Sequence, residues 1–159
     1  VPLIITAAGM FFFYARINLV YTFTGVILAH VALATPFVVI TVTATLVGFD
    51  MNMVKAAQSL GAKPIRTFFK VIMPLILPGI ISGALFAFIT SFDEVVIVMF
   101  MASIDQLTIP KQMWAGIRQE ISPVILCMAT CLVLLSIFLL TTVELLRRRS
   151  EKLRGIKAR

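Results

Sequence analysis

Residues 124–143 read VILCMATCLVLLSIFLLTTV and pass directly into ELLRRRSEKLRGIKAR, residues 144–159. The first of these stretches carries no charge. As a helix rising about 1.5 Å per residue it covers the roughly 30 Å of a bilayer's hydrocarbon core. Seven of the 14 Lys and Arg residues then crowd into Arg147–Arg159. A basic cluster alone is compatible with nucleic acid, but placed directly after a long apolar run it marks the cytoplasmic end of a membrane span. The whole composition agrees. Hydrophobic residues make up 60% of the 159 positions, charged residues 13%, the net charge is +7 and the mean hydropathy is +1.07. A soluble domain of this size hides only part of so much apolar surface, so lipid must solvate the rest. No nucleic-acid partner is expected.

Working outward from that span, three further apolar stretches precede it: Pro2–Ala15, Phe23–Val47 and Leu75–Ala102. Each must be helical, because an open strand in lipid leaves backbone groups unpaired. The fold expected is therefore all-α, a polytopic transmembrane bundle. Pro2–Ala15 is short and reads as a span cut at its N-terminal end, so a truncated chain is expected. The segment Gly48–Pro74 carries Lys55, Lys63, Arg66 and Lys70 against Asp50 alone, whereas Ser103–Ile121 balances Lys111 and Arg118 against Asp105 and Glu120. The excess of positive charge puts 48–74 and the tail in the cytoplasm. The expected division is a membrane domain over 1–147, including the 48–74 loop, and a basic cytoplasmic tail over 148–159. Gly79, Gly83 and Ala87 form a row of small residues four apart, which lets a second helix approach closely. Pro36, Pro74 and Pro78 are expected to bend or start helices. Cys127 and Cys131 have no neighbouring His or carboxylate to complete a metal site and read as small hydrophobes.

The cytoplasmic loop, DMNMVKAAQSLGAKPIRTFFKVIMP over 50–74, is the most informative segment. Asp50 is placed to cap a helix on which Met51, Val54, Ala57 and Leu60 recur at helical spacing. Gly61 fits the left-handed residue that ends such a helix, and Pro64 fits the first turn of a second, short one. Elementary physics predicts a helix–turn–helix at the membrane surface, which by itself is also the pattern of a simple interfacial anchor.

Ala56-Ala57, Gly61 and Val71-x-Met73-Pro74 resemble the cytoplasmic loop of ABC-importer permeases. That family's pattern is Glu-Ala-Ala, three residues, Gly, nine residues, an aliphatic residue, any residue, Leu and Pro, and the spacing here matches throughout. Lys55 stands where the family has its acidic residue. The resemblance implies that Lys55, Ala56, Ala57, Gly61, Ala62 and Lys63 form an element that docks into a cleft on a cytoplasmic ATPase subunit. GALFAFITSFDEVV over 83–96 and TIPKQMWAGIRQEISPVI over 108–125 are similar to the spermidine/putrescine branch. Members of that family usually have six spans, so about four are expected here. The resemblance also implies an ATP-binding subunit dimer, a second permease subunit and an extracytoplasmic substrate-binding protein in a bacterial cytoplasmic membrane. No Gly-x-x-x-x-Gly-Lys-Ser/Thr loop occurs, so ATP and Mg belong to the ATPase and no cofactor is expected in this chain.

Asp93 and Glu94 are the acidic residues of the third apolar stretch, toward the outer leaflet if that stretch is one helix. Acidic residues in a span normally face the bundle or a wet cavity, and no Lys or Arg lies in the spans to pair with them. A path for a flexible polycation needs carboxylates and aromatic faces, which Phe88, Phe92, Asp93, Glu94 and Trp114 would supply. Contacts of the acids with a partner permease are the plainer alternative. His30, the only histidine, reads as a satisfied packing residue ahead of a proton relay. No catalytic or metal residues are assigned. The reading favoured is a non-enzymatic permease of an ATP-driven importer for polyamines or similar organic cations. An amino-acid derivative, opine or metal chelate is the alternative cargo, and a channel or proton-coupled carrier the alternative class.

Overall fold

Apolar runs without internal charge fold as long helices in the computed structural model, which describes residues 2–119 and 123–153. In chain order these are α1 (Leu3–Arg16), α2 (Phe23–Val47), α3 (Asn52–Ser59), α4 (Pro64–Thr67), a π turn (Phe68–Ile72), α5 (Met73–Phe92), α6 (Val96–Met101), α7 (Ile109–Gln119) and α8 (Pro123–Leu153). No strand occurs among the described residues. Among the described residues three helical stretches are long and apolar enough to cross a membrane: Phe23–Val47, Pro64–Phe92 and Pro123–Thr142. The chain is an all-α, multi-pass membrane protein.

The first apolar stretch forms α1, whose 14 residues reach about 21 Å, shorter than a bilayer core as its length in the sequence implies. One expectation about the spans is corrected. The third stretch differs at both ends. Its helix begins at Pro64, because α4, the π turn and α5 run head to tail. It stops at Phe92, because Asp93–Val95 leave the helical path before α6 begins. Pro36 and Pro78 lie inside α2 and α5 without ending them.

Described by contacts, the chain forms two units, residues 34–88 and the two segments flanking them. In the flanking unit the core gathers around the short helix α6. Ile97 and Met101 are fully buried there with Ala7 of α1 and Ala29 of α2. Phe11 meets Phe100 edge-on, with ring centres 6.5 Å apart, and Tyr21 at 6.4 Å. The α1–α2 turn places Asn18 and Tyr21 at positive φ, 55° and 63°. Thr22 Oγ1 stabilises the turn, donating to the Leu19 carbonyl at 2.7 Å and accepting from the Gly25 amide at 3.0 Å. A Cβ at Gly25 would collide with the Leu19 carbonyl, so glycine is required.

The α6–α7 connection is tied to the same turn. The Tyr21 amide donates to the Met101 carbonyl at 2.9 Å, and Gln106 Nε2 donates to the Tyr21 carbonyl at 3.3 Å. Gln106 Oε1 accepts from the Ser103 amide at 3.0 Å, and Lys111 Nζ donates to the Ser103 and Gln106 carbonyls at 2.9 and 3.3 Å. The lysine that sequence reading counts as a loop charge is thus a structural donor. Helix α7 packs on α8, where a Cβ at Gly116 would lie 2.7 Å from Ile125 Cδ1.

In residues 34–88, α2 and α5 are antiparallel neighbours. Gly79 lies against Thr45, and Gly83 against Thr41 and Val38. The two threonines turn their hydroxyls back to their own helix, Thr41 Oγ1 to the Phe37 and Val38 carbonyls and Thr45 Oγ1 to the Thr41 carbonyl. Their hydrogen-bonding needs are met inside α2, which leaves the glycines free to admit the helix. Ala87, the third small residue of that row, is half-buried.

Candidate functional site

The segment over residues 50–67 is built from local signals. Asp50 Oδ1 accepts from the Asn52 amide at 2.9 Å and so secures the start of α3. At its other end the Gly61 amide donates to the Gln58 carbonyl at 2.9 Å and the Ala62 amide to the Ala57 carbonyl at 3.0 Å. This paired arrangement needs a left-handed residue at its centre, and Gly61 has φ +79°. Lys63 is extended and Pro64 opens α4. Lys55, Ala56, Gly61 and Lys63 are exposed, and Ala57 and Ala62 are half-buried. Around them Met53, Ile65 and Leu60, the last 88% exposed, present apolar surface. Arg66 and Lys70 are exposed as well. The second helix is not short, as the sequence indicates, but is continuous with a membrane span.

The acidic pair occupies the break between α5 and α6. Asp93 closes the last turn of α5, its amide donating to the Ile89 carbonyl at 3.1 Å, and its side chain is exposed. Glu94 is 5% exposed, and its Oε1 accepts from the Ile97 amide at 2.6 Å. Neighbouring carboxylates therefore have opposite environments. Phe92, half-buried, ends α5 beside them. Phe88 is exposed on α5 within residues 34–88, the other unit. Trp114 is exposed on α7, and no hydrogen bond or ring contact joins it to Asp93 or Glu94 among the described residues. His30 Nδ1 and Ser91 Oγ share a hydrogen bond of 2.8 Å, so the histidine is a satisfied residue between α2 and α5.

Sequence reading misses the break at 93–95 and the capping bond of Glu94. A signal was present, since acidic residues directly before the apolar run VVIVMFM match a helix start. Among the described residues no cluster of His, Cys, Asp and Glu suited to a metal occurs.

The family described as "Binding-protein-dependent transport system inner membrane component" matches residues 1–152. The chain belongs to this family. Among curated relatives of this permease is the "Spermidine/putrescine transport system permease protein PotC" of Haemophilus influenzae. It is 30% identical over 150 residues, covering 94% of this chain and 58% of that protein. The Escherichia coli K12 protein of the same name is 29% identical over 151 residues, 95% of this chain and 57% of that protein. The "Putrescine transport system permease protein PotI" of E. coli K12 is 37% identical over 103 residues, 65% and 37% of the two chains. The permease chain thus spans somewhat over half the length of the PotC relatives it matches.

Proposed function

We propose that this permease chain is part of an ATP-driven importer that carries polyamines, putrescine or spermidine, or closely similar organic cations across the bacterial cytoplasmic membrane. The observation that carries this reading is the helix–turn–helix at 52–67. A capped helix, a left-handed glycine and a proline-started helix present an exposed face, and that second helix continues directly into a span. Force applied to α3 and α4 is thereby passed into a membrane helix without an intervening flexible loop. The cargo reading is supported by relatives whose names specify spermidine and putrescine.

In this reading ATP and Mg are bound by a dimer of separate ATP-binding subunits. A second permease subunit completes the path, and an extracytoplasmic binding protein delivers substrate. Residues 48–74 and the C-terminus face the cytoplasm. Asp93, exposed at the end of α5 beside Phe92, is the carboxylate offered to the cation. Cation and carboxylate in a partly desolvated path attract more strongly than in bulk water.

The deciding experiment is ATP-dependent uptake of labelled putrescine and spermidine by the full-length, assembled transporter in proteoliposomes. Saturable uptake that requires ATP and the binding protein supports the reading. ATP hydrolysis stimulated by a loaded binding protein with no polyamine accumulation overturns the cargo while leaving the permease assignment intact.

A further inference from the structure

Glu94 has the features of a residue that shapes the path rather than lining it. Helix α6 is the most buried element of its unit, with Ile97, Val98 and Met101 all fully buried. The first amides of a helix have no partner within it, and in a buried site water cannot serve instead. Glu94 Oε1 meets that need at the Ile97 amide, 2.6 Å away. The same bond fixes the chain where it leaves α5, and so fixes the exposed Asp93 one residue earlier. A side chain 5% exposed and bonded inward has little surface to offer a passing cation.

We propose that Glu94 is a positioning residue: its carboxylate ends the span at Asp93 and starts buried helix α6, and it does not contact the transported cation. The inference rests on the transport reading above. The bond to the Ile97 amide asks for an acceptor oxygen, not a negative charge. Glutamine keeps the acceptor and removes the charge, whereas leucine keeps the bulk and removes both.

The test uses the assembled full-length transporter with Glu94→Gln, Glu94→Leu and Asp93→Asn, each at matched membrane level. Glu94→Gln is expected to keep the KM for spermidine within about twofold of the parent, because the acceptor survives. Glu94→Leu is expected to lose most of the uptake rate and melt at lower temperature. Asp93→Asn is expected to raise KM about tenfold or more with little change in melting, as loss of a charged contact does. A Glu94→Gln protein that folds normally but shows the KM rise of Asp93→Asn overturns the proposal.

A second measurement is independent of cargo. In a background lacking Cys127 and Cys131, a cationic, membrane-impermeant thiol reagent is expected to label Asp93→Cys readily and Glu94→Cys at least about tenfold more slowly. Equal labelling of the two, in a Glu94→Cys protein that melts at the parent's temperature, overturns the proposal. If the parent transporter accumulates no polyamine, the cargo reading fails by itself, and the labelling contrast still decides the placement of Glu94.

Discussion

Gly83 sits where α2 crosses α5, and its missing side chain is what permits the contact. A Cβ there would strike Thr41 Oγ1 and lie 3.1 Å from Val38 Cα. The hydroxyl can rotate but the backbone carbon cannot, so Gly83→Ala is expected to destabilise by about 1–3 kcal/mol, the usual range for overpacking. Thermal melting of the purified transporter measures this. Adding Thr41→Ala should recover part of the loss and not all of it, since Val38 Cα remains. Full recovery would show that the threonine was the sole obstacle. Gly79 presents a more severe case, because a Cβ there would strike Thr45 Oγ1 and lie 2.8 Å from Thr45 Cβ, which no rotation moves away, with the Thr41 carbonyl at 3.2 Å. Small residues four apart are legible in sequence. The threonines that receive them are not, because nothing in the local pattern of α2 tells which face meets α5.

Among the elements, the helix–turn–helix at 52–67 was legible and the acidic break was not, for one physical reason. Every bond that shapes α3 and its turn joins residues two to five apart, from Asp50 with Asn52 to Ala62 with Ala57. Local chemistry sufficed to place Gly61 and Pro64. The end of α5 at Phe92 depends instead on burial of α6 against α1, partners some 90 residues apart in sequence, and an apolar run alone reads as one long span. The π turn at 68–72 likewise left no mark in the periodicity, so the span was expected to start at Leu75.

The helix–turn–helix, read as the proposed docking element, also yields two predictions. A Cβ at Gly61 meets nothing within 4 Å, so substitution there acts on the backbone alone, at about 1–2 kcal/mol for an L-residue held in the left-handed region. Asn tolerates that region better than Val, so Gly61→Asn should retain more coupled ATP hydrolysis than Gly61→Val. Equal loss in both would point to a steric rather than a conformational demand. Lys55 is exposed, so Lys55→Glu should shift the melting free energy by no more than about 0.5 kcal/mol. Its effect belongs to association. If this segment docks an ATPase as proposed, then with Lys63, Arg66 and Lys70 exposed nearby in sequence it favours an acidic partner surface, and Lys55→Glu should weaken binding of that subunit most at low salt. Tighter binding, measured by titration of the ATPase subunit in nanodiscs, would reverse the inferred sign of the partner surface.

For the molecule as a whole, the apolar surface outweighs what the chain buries within itself. Of the apolar window in Pro123–Thr142 none is buried, and in Phe23–Val47 only 11%. Such surface is stable only against lipid or other membrane helices, since water would oppose its exposure. The orientation proposed above rests on charge: it puts the basic residues of 48–74 and the tail on one side and has the Pro64–Phe92 span carry the chain to the other before Ser103. This can be read directly with single cysteines in the full-length transporter lacking Cys127 and Cys131. Gln58 on α3 is exposed, and Ile104 beyond α6 is 91% exposed, so both sites accept a probe without disturbing a core. Gln58→Cys should react with an impermeant maleimide only in inverted vesicles, and Ile104→Cys only in right-side-out ones. Reaction of both from one side would mean that Pro64–Phe92 does not cross. In that case force on α3 and α4 would not be carried across the membrane by this helix, and the transmission proposed from α3 and α4 into a span would be lost.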